Sequence, residues 1–129
     1  MDLNSHIQQV LGRHGDIRLA ILFGSLAKAQ ATPQSDLDLA VLMGTPLSGE
    51  IRMNLIDELS QAIGRPVDLV DLRVVGEPLL GQILKHGVRL LGSDSDYAAL
   101  IRRHLFEEAD FMPYRRRILA ERRRAWIGK

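Results

Sequence analysis

The apolar positions of this chain fall into two rhythms. Short runs of mostly apolar residues occur at Arg18–Phe23 (RLAILF), Leu37–Met43 (LDLAVLM) and Val67–Leu72 (VDLVDL). The first, short, without strict alternation and closed by Gly, predicts a strand buried on both faces; the other two are strand-like, the last of them bounded by Pro66. A fourth short strand is predicted at Val88–Leu91. Between the runs the period changes to that of a helix. Ile7, Val10 and Leu11 share one face of a helix over Asn4–His14, ended by Gly15. Ile51, Leu55, Leu59, Ala62 and Ile63 mark a second over Ser48–Ile63, with Ser48 as N-cap and Gly64-Arg65-Pro66 as the stop. Glu77–Lys85 has helical spacing, and Ser93–Asp96, rich in N-cap residues, opens a last helix that Pro113 kinks or restarts.

The polar residues that punctuate these runs carry the candidate chemistry. Gly24-Ser25 closes the first strand, and Asp36 and Asp38 open the second. Residues two apart on a strand point to one face, so these carboxylates project together, about 6–7 Å apart along the strand. Neighbouring carboxylates repel, and one is pushed toward protonation. A divalent cation removes the conflict, and Mg²⁺ prefers oxygen ligands with phosphates as co-ligands. Two such ions about 3.5–4 Å apart can stabilise both the attacking and leaving oxygens of an in-line displacement. Asp68 and Asp71 offer a third carboxylate; three apart, they face opposite sides of a regular strand. Asp68 is the choice, because it lies within the strand, with a role as metal ligand or general base. Gly24 lets the backbone approach a phosphate, and Ser25 offers a hydroxyl and an N–H. Leu26–Gln30 is expected to form a short helix whose N-terminus favours that anion. A Gly-Ser turn or a DxD alone is commonplace; their combination with a later VDLVDL is what points to a site.

These residues resemble the minimal nucleotidyltransferases (MNT proteins) of the polymerase-beta-like superfamily. The shared pattern is GS, ten residues, DxD, carried here as Gly24-Ser25, LAKAQATPQS and Asp36-Leu37-Asp38. VDLVDL, Pro78-Leu79-Leu80, Gln82–Gly87 and Leu90-Leu91 look like the family's third-carboxylate strand and the helix and strand after it. Arg103, Phe111–Tyr114, Ile118 and the basic run look like its C-terminal helix, so the resemblance spans nearly the whole chain. It implies an α/β (α+β) nucleotidyltransferase fold, a mixed sheet of four or five strands flanked by helices. It also implies Mg²⁺-dependent transfer of AMP from ATP. Many such proteins are antitoxins paired with a HEPN-domain ribonuclease toxin, which they silence by placing AMP on a tyrosine. Carried over by position, Gly24, Ser25 and Lys28 bind nucleotide, and Asp36, Asp38 and Asp68 are the catalytic, metal-binding set. The sequence departs from the family after the serine: Lys28, Ala29 and Gln30 stand where Arg-Gly and an acidic residue are usual. Lys28 keeps the charge but lacks the planar fork of Arg.

Composition narrows the alternatives. At 129 residues with 46% apolar content, the chain is expected to be one domain, with a C-terminal helical tail over about 94–129. The opening MDLNSHIQQVLGRHGD is amphipathic and lacks a basic start, so no signal peptide is expected. There is no cysteine, which excludes disulfides and thiolate metal sites and fits the cytoplasm. The net charge of +1 is uneven: residues 101–129 hold nine Lys or Arg against four Asp or Glu, and residues 1–100 hold eight against twelve.

Other features read more plainly. His6, His14, His86 and His104 lack ligand spacing and are expected to be surface or packing residues. Gly12-Arg13-His14-Gly15 superficially matches a GxxG nucleic-acid clamp but is better read as a helix end. Arg115–Arg117 and Arg122–Arg124 recur on the same helix faces beside Ile118, Leu119, Trp126 and Ile127. That surface is either a solvated basic face, a dock for an acidic protein partner, or a nucleic-acid contact; too few aromatics are present to stack bases. Two rival functions remain: a nucleotidyltransferase acting on a small molecule or an RNA 3′ end, and an antitoxin that works by occlusion alone.

Overall fold

The computed structural model describes residues 2–28, 32 and 34–109. Helix α1 (Leu3–Leu11) leads to β1 (Ile17–Phe23), β2 (Leu37–Met43), α2 (Gly49–Ile63), β3 (Val67–Asp71), α3 (Leu79–His86) and β4 (Val88–Leu91). A last helix, α4, runs from 94 to 109. The four strands form one mixed sheet in the order β3-β2-β1-β4. β1 is antiparallel to both neighbours, and β2 and β3 are parallel.

The apolar runs are buried on both sides because helices cover both sheet faces. Leu22, Leu39 and Leu69 meet Ile7, Val10 and Leu11 of α1 and Leu55 and Leu59 of α2. Leu19, Ile21 and Ala40 face the other way, toward Leu80 and Ile83 of α3 and Leu100 of α4. A bulge near Arg18 slips the register between Ile17 and Leu19, so both residues stay buried although on opposite faces. Ser48 caps α2 by accepting the Ile51 N–H at 3.2 Å, and Gly64 ends it in the left-handed region at φ 74°. Arg103 of α4 donates to the carbonyls of Leu72 (2.6 Å) and Val75 (2.9 Å), fixing that helix to the exit of β3.

Several boundaries differ from the sequence expectation. α1 stops at Leu11, three residues early, because Arg13 and His14 donate to Val10 and Leu11 in tight turns rather than continuing the helix. His14 then pairs with Glu58 at 2.9 Å. α3 begins at Leu79, after Pro78, with the Glu77 carboxylate accepting the Gly81 N–H. The helix expected at Leu26–Gln30 does not form over its described part. Residues 25–28 make a turn in which the Lys28 N–H is shared between the carbonyls of Gly24 and Ser25, at 3.3 and 3.2 Å. Ala29 and Gln30, the basic runs, their apolar stripe and Pro113 lie outside the described residues.

Candidate active site

The sheet decides which carboxylates meet. Asp38 and Asp68 are paired in register on the parallel strands β2 and β3. Both point to the face that carries Ala40 and Val70, the side covered by α3 and α4. Asp36 lies two residues ahead of Asp38, just before β2 begins. Asp71 pairs with Val41 instead, and its carboxylate accepts the N–H of Arg73 at 2.9 Å. The register therefore separates the two aspartates of VDLVDL, which the sequence could distinguish only by their place in the strand.

Asp38 feels the other two carboxylates. Asp38 is half-buried, whereas Asp36 and Asp68 are exposed. Burial raises the Asp38 carboxyl above its ordinary range, and the charges of Asp68 and then Asp36 push it the same way. Among the described residues no three His, Cys, Asp or Glu side chains close into a ready-made metal cage. The donor set nevertheless suits a hard divalent cation: three carboxylates on adjacent strand ends, with a mutual repulsion that such an ion relieves.

Gly24 joins these carboxylates to a cleft. It adopts φ 74°, and a Cβ there would overlap the Asp38 carboxylate. The same residue lines a cleft of about 310 Å³, together with Phe23, Lys28, Leu79, Gln82 and His86. Lys28 is exposed at this cleft, and Ser25 sits half-buried in the turn without lining it. Thus Gly24, Lys28 and the Asp36–Asp38–Asp68 cluster come together around the end of β1, with Ser25 in the connecting turn.

Sequence reasoning missed the far wall of the cleft. Leu79, Gln82 and His86 stand three and four residues apart, one stripe of α3. The one signal available was Leu79, an apolar residue off the stripe that buries Leu80 and Ile83; it is 37% exposed. His104, by contrast, is engaged by Glu77 at 2.5 Å and Glu108 at 3.4 Å, as a packing role predicts. No helix among the described residues is long and apolar enough to cross a membrane.

Comparison with known proteins bears directly on this site. The chain is 36% identical over 80 residues to the protein adenylyltransferase MntA of Shewanella oneidensis, covering 62% of this chain and 58% of that one. The match thus spans less than two thirds of that relative's length. A chain in a crystal structure of a toxin–antitoxin with AMP-PNP matches with a TM-score of 0.80 at 28% identity, covering 92% of this chain and 96% of that one. A chain in the structure of a tri-AMPylated Shewanella oneidensis HEPN toxin with its MNT antitoxin matches with a TM-score of 0.74 at 26% identity, covering 92% and 94%. The model of polymerase beta nucleotidyltransferases matches residues 5–96, a segment holding the Gly24-Ser25 turn, all three carboxylates and both walls of the cleft, and the chain belongs to that family.

Proposed function

We propose that this chain is the antitoxin of a HEPN–MNT pair, transferring AMP from ATP to a tyrosine hydroxyl of a HEPN-domain toxin with Mg²⁺ and thereby silencing it. The observation that carries the reading is the register of Asp38 with Asp68, beside Gly24 at the mouth of a cleft that can take a nucleotide. The acceptor class follows from the relatives, which are named as a protein adenylyltransferase and as partners of HEPN toxins.

In this mechanism Asp36, just ahead of β2, Asp38 on β2 and Asp68 on β3 would hold the divalent cations. Bound there, Mg²⁺ supplies charge neutralisation for the phosphates during in-line displacement. Gly24 lets the backbone approach the triphosphate, Ser25 offers its hydroxyl and N–H, and Lys28 places a cation in the cleft. The tyrosine oxygen attacks the α-phosphorus, the α–β bridging P–O bond breaks, and pyrophosphate leaves. Asp68, the more exposed of the in-register pair, accepts the tyrosine proton. Catalysis is then mainly positioning and electrostatic stabilisation.

Lys28 lines the cleft with Leu79, Gln82 and His86 of α3 and is no part of the carboxylate set. Lys28→Ala should therefore raise the KM for ATP about tenfold, the loss of one charge-assisted phosphate contact, and change kcat far less. Steady-state kinetics at saturating partner separates the two parameters. The reading itself is tested by intact mass spectrometry of a candidate HEPN-domain partner, incubated with this chain and Mg-ATP. Gains in whole AMP units, absent with Asp36→Ala/Asp38→Ala, are expected. A partner that is neutralised without gaining mass, equally well by the double variant, would identify an antitoxin that acts by occlusion.

A further inference from the structure

The segment that stops α2, Gly64-Arg65-Pro66, does more than end a helix. Two successive residues, Arg65 and Pro66, hold the chain on both sides of Asp36. The Arg65 guanidinium donates through Nη1 to the carbonyls of Thr32 (2.8 Å) and Ser35 (3.0 Å). The Pro66 carbonyl accepts the N–H of Leu37 at 2.8 Å. Ser35 is itself tied to Thr32, its N–H reaching the Thr32 carbonyl at 3.0 Å and its hydroxyl accepting the Thr32 N–H at 2.8 Å. Asp36 thus follows directly on Ser35, whose carbonyl and that of Thr32 both accept from one guanidinium. No carboxylate pairs with Arg65 among the described ion pairs, so its charge is directed at the turn.

The geometry has a consequence for the site. Asp38 is fixed by strand pairing with Asp68, but Asp36 precedes β2 and lies outside that register. Its placement depends on how the 32–35 turn meets the start of β3, and β3 brings in Asp68 three residues after Arg65. We infer that Arg65 is a positioning residue: by clamping the Thr32–Ser35 turn to the start of β3 it sets Asp36 against Asp38 and Asp68 for cation binding. The inference rests on the nucleotidyl-transfer reading of the carboxylates. The two charge-assisted hydrogen bonds go to backbone carbonyls, so an ammonium of similar reach can make them too.

The test compares Arg65→Met, which keeps the apolar stem and removes every donor, with Arg65→Lys. Mn²⁺ binding to the full chain in the presence of AMP-PNP is followed by electron paramagnetic resonance, alongside kcat and KM for AMP transfer to the partner. Arg65→Met should weaken Mn²⁺ binding about tenfold and lower kcat about 10- to 100-fold, with KM for ATP changed less than about threefold. Arg65→Lys should recover both to within about threefold of the parent. Arg65→Leu, which also lacks any donor, is measured in the same way and replaces Arg65→Met if that variant does not fold. Parental Mn²⁺ affinity and kcat in a donorless variant, with only the melting temperature lowered, overturns the inference. A Lys variant as impaired as the donorless one overturns it as well. If the parent itself transfers no AMP, the functional reading fails, and the Mn²⁺ comparison still decides the role of Arg65.

Discussion

Asp38→Asn will reduce AMP transfer by at least about a thousandfold, and in the absence of divalent cation it will make the protein more resistant to heat. The two effects share one cause. Burial, and then the neighbouring Asp68 and Asp36, raise the Asp38 carboxyl above its ordinary value of 3.8. The folded chain therefore holds the Asp38 proton more tightly than the unfolded chain does. The stability gained by holding it is fully present below the ordinary value and lost as the pH rises through the raised one. At neutral pH the ionised carboxylate opposes folding, and Asn removes the charge while keeping the shape. Asp38 is only half-buried, and solvent screens its neighbours, so the gain is small. We therefore expect a rise of only a few degrees in melting temperature. Thermal melts in EDTA from pH 4 to pH 7.5 should show the difference opening as the pH rises. Added Mg²⁺ should raise the melting temperature of the parent and leave Asp38→Asn nearly unmoved. A variant that melts with the parent at neutral pH and still transfers AMP would remove Asp38 from the site.

What the sequence could disclose here depended on whether the determinant was local. The strand at Leu37–Met43 and the helix capped by Ser48 are written within a few consecutive residues, and the structure has them at the expected bounds. The pairing of Asp38 with Asp68 is set by the parallel register of strands thirty residues apart, to which no local pattern refers. The sequence places Asp36 and Asp38 on one face and offers Asp68 from its place in the strand, but not the register that sets Asp68 opposite Asp38. The residues of Leu26–Gln30 are compatible with a helix, but the Lys28 N–H, shared between two carbonyls, instead makes a tight turn over the described residues. α3 hid its cleft wall because Leu79, Gln82 and His86 form an ordinary outward stripe until β1 ends opposite them. Arg65 was legible only as part of a helix stop, since its acceptors lie at Thr32 and Ser35.

The second large effect separates backbone strain from chemistry, because the chain contains its own control. Gly24 and Gly64 share the same φ of 74°, a conformation that costs an L-residue about 1–2 kcal/mol. A Cβ at Gly64 would meet nothing within 4 Å, whereas one at Gly24 would overlap the Asp38 carboxylate. Gly64→Ala should thus lose about 1–2 kcal/mol of stability through strain alone and keep its AMP transfer once folded. Gly24→Ala carries the same strain and must also displace Asp38, the one carboxylate that touches both the turn and the in-register pair. A shift of about 1 Å in such a group is enough to lower transfer about a hundredfold. Denaturant melts give the stabilities, and rates measured where both variants are folded give the activities. If Gly24→Ala lost no more activity than Gly64→Ala, the close approach at Gly24 would be a matter of packing. If only Gly24→Ala is inactive, glycine is required there because Asp38 occupies the space in which any side chain would begin.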